Sequence, residues 1–204
     1  MTRLTLRGRA ARASLVMAVP LLLSACVSFG SEPPESLLTL SSDLRAPVGQ
    51  TNAMSGETAL VVFEPEVPAQ IDVLRVPVRV SDTSLAYLQD AVWVEKPARL
   101  FRRLMAETIR AQSGRSVIDG DTVGVVAGTQ LRGTLREFGY DAGRSAVVLQ
   151  YDAVLRTGED TIATRRFEAS VDGIPPEANA VGSAMNNAAN DLAKQVSAWV
   201  QENS

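Results

Sequence analysis

The sequence contains no histidine and only one cysteine, Cys26. Without histidine, the commonest general base, the usual zinc ligand and the Ser-His and Cys-His dyads are excluded. A single cysteine rules out an internal disulfide and any thiolate metal cluster. Lysine is nearly absent as well. Only Lys96 and Lys194 occur, and neither stands in a Ser-x-x-Lys motif. No Gly-x-Ser-x-Gly turn is present. Gly120, Gly124 and Gly128 are evenly spaced, yet no Gly-Lys-Ser/Thr end and no dinucleotide fingerprint accompanies them. The bland account is loop or sheet-edge glycines. No catalysis, cofactor or metal is expected, and any energy for a process must come from a partner.

What is present is the balance of a globular chain. Of 204 residues, 46% are hydrophobic and 21% charged. The first twelve residues are basic and hold no acid, and the apolar run Ala13–Leu23 follows. That run is too short to span a bilayer, which takes roughly 20 apolar residues. A basic start, a short apolar stretch and a small-residue cleavage site make residues 1–25 a signal peptide. The site reads Leu23-Ser24-Ala25-Cys26 and resembles the bacterial lipobox, where the cysteine is diacylated and the chain is cut before it. A free or core cysteine after an ordinary leader is the plainer alternative. Two or more acyl chains give stable membrane attachment. Val27 and Ser28 follow in place of the aspartate that retains lipoproteins at the inner membrane of enteric bacteria, which favours the outer membrane, facing the periplasm. Loss of the leader's four arginines, Arg3, Arg7, Arg9 and Arg12, takes the formal charge from −3 down by four units to −7. An acidic chain is not expected to bind nucleic acid.

Residues 26–35 read as a lipidated tether rich in Ser, Gly, Glu and Pro, and 36–204 as a single domain. Leu37–Leu40 is expected as a first strand, 41–56 as a loop and Thr58–Phe63 as a buried strand. A single turn is expected at Ala69–Leu74 and a strand at Val76–Val80. Two short strands, Leu85–Leu88 and Ala91–Val94, are expected around a turn at Gln89-Asp90. Pro97 opens a helix whose apolar face is Leu100, Phe101, Leu104, Met105 and Ile109, with Gly114 as its stop. Thr129–Tyr140, Ala146–Arg156 and Thr161–Val171 form an antiparallel meander, with a bulge near Arg136. In the last of these strands the apolar residues are Ile162, Ala163, Phe167, Ala169 and Val171. Glu177–Gln201 is an amphipathic helix facing inward with Val181, Met185, Ala188, Leu192, Val196, Trp199 and Val200. The class is α+β: a mixed, largely antiparallel sheet with two main helices on one face.

Three constellations carry potential chemistry. Asp119-Gly120-Asp121 could open a calcium loop, but no EF-hand glycine and glutamate follow, and a surface turn explains it. Tyr87, Trp93 and Phe101 could line an apolar groove, while core packing is the usual account of such residues. Arg99, Arg102, Arg103 and Arg110 form a positive stripe on the first helix. A solvated helix face accounts for it, and the alternative is a docking surface for an acidic partner.

The lipobox, Leu37–Leu40, Leu60-Val61-Val62, Ile71–Val76, Leu85-Ala86-Tyr87, Trp93 with its following helix, Leu131–Phe138 and the C-terminal helix together resemble the ABC-type transport auxiliary lipoproteins. That family includes the lipoprotein of the paraquat-inducible system. Its usual first-strand tyrosine is replaced here by Leu37 or Leu38. The resemblance covers the mature chain and brings no catalytic residues. It implies an accessory of an ABC transporter in which a permease and an ATPase work with an MCE-domain protein on phospholipid or another hydrophobic cargo. Homo-oligomerisation into a collar is compatible with a ring-shaped partner. The competing readings are an envelope structural or assembly lipoprotein that binds protein or peptidoglycan, and a histidine-free hydrolase.

Overall fold

The computed structural model describes residues 36–49, 59–120 and 127–204. The leader, Cys26, the tether, residues 50–58 and residues 121–126 lie outside the described residues. The elements run β1 (Leu60–Val62), β2 (Arg75–Ser81), β3 (Ser84–Val92), α1 (Pro97–Ser113), β4 (Val117–Asp119), β5 (Thr129–Asp141), β6 (Ala146–Thr157), β7 (Thr161–Asp172) and α2 (Ala178–Glu202).

The spine of the sheet is β5. It pairs antiparallel with β6 from Thr129–Thr157 to Asp141–Ala146, and β6 pairs the same way with β7. Its other edge is shared. Parallel β1 takes the start, with Leu60 opposite Thr129, and parallel β2 takes the end, with Val78 opposite Tyr140. Between them Glu66 bridges Thr134. The long ladders are antiparallel and the parallel ones short, giving a curled mixed sheet. The expected bulge is present: the register steps from Leu135–Tyr151 to Glu137–Gln150 and passes over Arg136. An extra residue there restores the inward aim of Phe138 after the break in alternation.

Both helices form as their spacing predicts. Pro97 sits at the first turn of α1, and Gly114 takes the left-handed conformation (φ 63°) that ends it. The final carbonyls of α2 are capped by Asn203 Nδ2 on Trp199 O (2.8 Å) and Ser204 Oγ on Val200 O (2.6 Å). All seven inward residues expected on α2 are buried, as are the five on α1. The helices pack on each other and on one face of the sheet, enclosing one core.

Four local features differ from the sequence reading or add to it. Leu37–Leu40 is not a strand: Leu38 makes a single parallel bridge to Trp93. Gln89-Asp90 is not a turn. Tyr87 lies opposite Pro77 but Val92 opposite Arg75, so β3 runs through as one strand with surplus residues bulged out at Asp90 (φ 57°). The residues of a turn and of a bulge are alike, because both need a left-handed backbone. Ile162 faces outward and is 64% exposed, because strand parity follows Phe167 and Ala169, which are buried. Lastly, β4 occupies Val117–Asp119, where no strand was expected. A three-residue strand held by a distant parallel partner leaves no local pattern.

Candidate functional site

The arginines of α1 are each occupied within the domain. Arg99 reaches Glu64 (3.4 Å) and Glu95 (3.5 Å), and Arg103 pairs with Glu95. The Arg103 hydrogen bond is the chief cause holding the Glu95 carboxyl below its ordinary range. Arg102 lies 3.0 Å from Asp119, and its guanidinium covers Gly120, where a Cβ would collide with it. The Asp119 carboxylate expected in a turn is therefore an ion-pair partner that fastens β4 to α1. Arg110 donates to Glu107 (2.7 Å) and to the Val117 carbonyl (2.9 Å). Glu95 lies just before the helix, but Glu64, past the end of β1, and Asp119, on β4, come from far along the chain, so helical periodicity could not reveal them.

The three aromatics divide. Trp93 and Phe101 are fully buried, whereas Tyr87 is half-buried beneath the Arg75 guanidinium (4.8 Å to the ring centroid). Beside them, a cleft of about 330 Å³ opens where β2 leaves β5, with Ile71, Pro77, Leu85 and Phe138 in its walls. Arg79 on its rim is held by Glu137 and by Asp141 (3.6 Å).

A third arrangement went unread in the sequence. Residues 36–46 form a strap across the two helices. Asn190, 1% exposed, accepts from Asp43 N (2.8 Å) and donates to Ser41 O (2.9 Å). Asn186 accepts from Ser41 N (2.9 Å), and Lys194 meets Asp43 (3.0 Å). On α1, Thr108 bonds Ser42 (3.0 Å) and Glu107 accepts from Ala46 N (2.8 Å). Leu38 lies on Gly182, where a Cβ would sit 2.5 Å from it. The available signal was an asparagine inside the buried stripe of an alanine-rich helix, since a buried amide requires partners.

The helix-free face of β5–β7 carries a further charged cluster. Asp152 accepts from Arg166 Nη2 (2.8 Å) and Nε and from Arg136 Nε (2.9 Å). The Arg166 hydrogen bond, assisted by Arg136 and opposed by burial, holds its carboxyl well below the usual carboxylate range. A depressed folded-state pKa contributes stability above the unfolded value of about 3.9 and loses it as pH falls through the folded value. Asp152→Asn is expected to lower the unfolding free energy by about 1 kcal/mol at neutral pH, as for a bidentate pair near the surface. Urea melts should show the difference from wild type narrowing below about pH 4.

No curated protein matches the chain. Among solved structures it is similar to protein XCC0632 from Xanthomonas campestris, at 19% identity over 83% of this chain and 94% of that one, with a TM-score of 0.61. It is also similar to an uncharacterized protein at 16% identity over 83% of this chain and 100% of that one, TM-score 0.62. These likenesses establish the fold. The family model described as the ABC-type transport auxiliary lipoprotein component matches residues 39–197, from the strap to the last turns of α2, and the chain belongs to that family.

Proposed function

We propose that this chain is a non-catalytic accessory of an MCE-type ABC transport system, anchored through acylated Cys26 to the outer membrane and facing the periplasm. There it docks the periplasmic MCE-domain protein, and through it the permease and ATPase, so that lipid or another hydrophobic cargo crosses the envelope shielded from water. Each exposed CH₂ would otherwise cost roughly 0.8 kcal/mol. The observation that carries this reading is membership of a family described as auxiliary to ABC transport. Two features agree with it. The sequence supplies neither a phosphate loop nor a histidine, which suits a chain that leaves energy and chemistry to partners. Its first described residues are also bonded to both helices, so a pull on the tether is borne by the domain.

Affinity purification of the full lipidated chain from detergent-solubilised membranes tests the proposal. Co-purification of an MCE-domain protein with its permease and ATPase is the expected result. Recovery of peptidoglycan or assembly factors with no MCE-domain protein would favour the structural lipoprotein reading instead.

A further inference from the structure

The strand registers place nine side chains in a grid on the helix-free face. Gln130, Arg156 and Ile162 make one cross-strand row, Arg132, Val154 and Thr164 the next, and Thr134, Asp152 and Arg166 the third. At strand spacings the grid covers about 10 by 13 Å before its arginines reach outward. Arg132 stacks on Phe63, its guanidinium carbon 3.4 Å from the ring centroid. Arg156 donates to the Glu159 carbonyl (3.2 Å). Neither makes an ion pair among the described residues, while Arg136 and Arg166 share the single carboxylate of Asp152. Ile162 is 64% and Val154 36% exposed between them. Four arginines thus face one carboxylate in a chain whose formal charge is −3. The next row, Glu137–Gln150–Glu168, turns acidic, so the face is polarised along its strands.

Concentrating like charge on one area of an acidic chain is opposed by self-repulsion and calls for a counter-charge from outside. Arginine beside aromatic and aliphatic groups is the composition of an interface centre. We propose that this arginine face, centred on Arg132 and Arg156, is where the MCE-domain protein docks, through an acidic surface complementary to it. Carboxylates of the partner meet Arg132 and Arg156, and an apolar side chain packs on Val154 and Ile162. The acidic row repels the wrong register, which fixes the orientation. The proposal rests on the transport reading above. The α1 stripe is the weaker candidate, because its arginines already have carboxylates.

The test compares capture of the MCE-domain protein by the full lipidated chain, by Arg132→Glu/Arg156→Glu and by Arg99→Glu/Arg103→Glu, each over a sodium chloride series. Circular dichroism melts establish that each variant folds. Reversal on the sheet face is expected to weaken capture about tenfold or more and to flatten its salt dependence, while reversal on α1 leaves both near wild type. Equal capture by wild type and Arg132→Glu/Arg156→Glu, or a loss confined to the α1 variant, overturns the proposal and leaves the transport reading standing. Absence of any MCE-domain protein with the wild type overturns both. Wild-type binding to phosphatidylglycerol vesicles that Arg132→Glu/Arg156→Glu abolishes, with partner capture intact, reassigns the face to the membrane.

Discussion

Trp93→Ala is expected to lower the unfolding free energy by about 4 kcal/mol, and Trp93→Phe by only about 1 kcal/mol. Trp93 heads the fully buried side chains and is 1% exposed. Its ring lies 5.5 Å from Phe138, Phe138 meets Phe101 at 6.4 Å, and Phe101 meets Tyr151 at 5.6 Å. The series crosses the core from the β2–β3 hairpin to β6. Its backbone joins three pieces as well, donating to Leu74 O (2.8 Å) and bridging Leu38 of the strap. Truncation to alanine removes a large apolar volume at a point where four elements converge, and a rigid sheet beneath two helices collapses little into the gap. The phenylalanine variant separates packing from polarity. The indole N–H has no hydrogen-bond partner among the described residues. A buried unmade donor costs about 1–3 kcal/mol, so removing it offsets much of the lost ring area. Urea unfolding of the two variants decides the matter: losses of equal size would mean that the indole N–H is satisfied after all.

The two helices and the β5–β7 meander could be read from the chain because their signals are local. Pro97 and Gly114 punctuate α1, alternation marks β5 and β6, and the break in alternation near Arg136 marks a bulge that the register contains. Much that depends on a distant partner stayed hidden. Leu37–Leu40 has a strand's composition, yet its neighbours are Trp93 and the side chains of α2, so it lies as a strap with one bridge. Val117–Asp119 becomes a strand only because β1 lies beside it. The α1 arginines were visible as a stripe, while their partners Glu64 and Asp119 were not, so a face read as solvated or docking is also a set of internal ties. Arg132, Arg156 and Arg166 fall on three different strands. Nothing in the sequence joins them until the register sets them side by side.

Cys26→Ser is expected to move the chain from the membrane fraction to the soluble periplasmic fraction almost completely. One acyl chain binds a bilayer marginally and two or more hold it stably, at about 0.8 kcal/mol per buried CH₂. Losing them all removes an attachment energy larger than any surface contact of the domain could replace. No helix among the described residues is long and apolar enough to cross a membrane. The same substitution should leave the unfolding midpoint of the domain unchanged. The strap bonds the end of β3 at Leu38 and the two helices from Ser41 to Ala46, all well downstream of Cys26. Fractionation with a salt wash, paired with a thermal melt, reads both halves of the expectation. A Cys26→Ser chain that stays in the washed membranes would show that something other than acyl groups holds it there. A shifted melt would show that the lipidated end packs against the domain. Transport lost in Cys26→Ser with the melt unchanged would assign the defect to position alone.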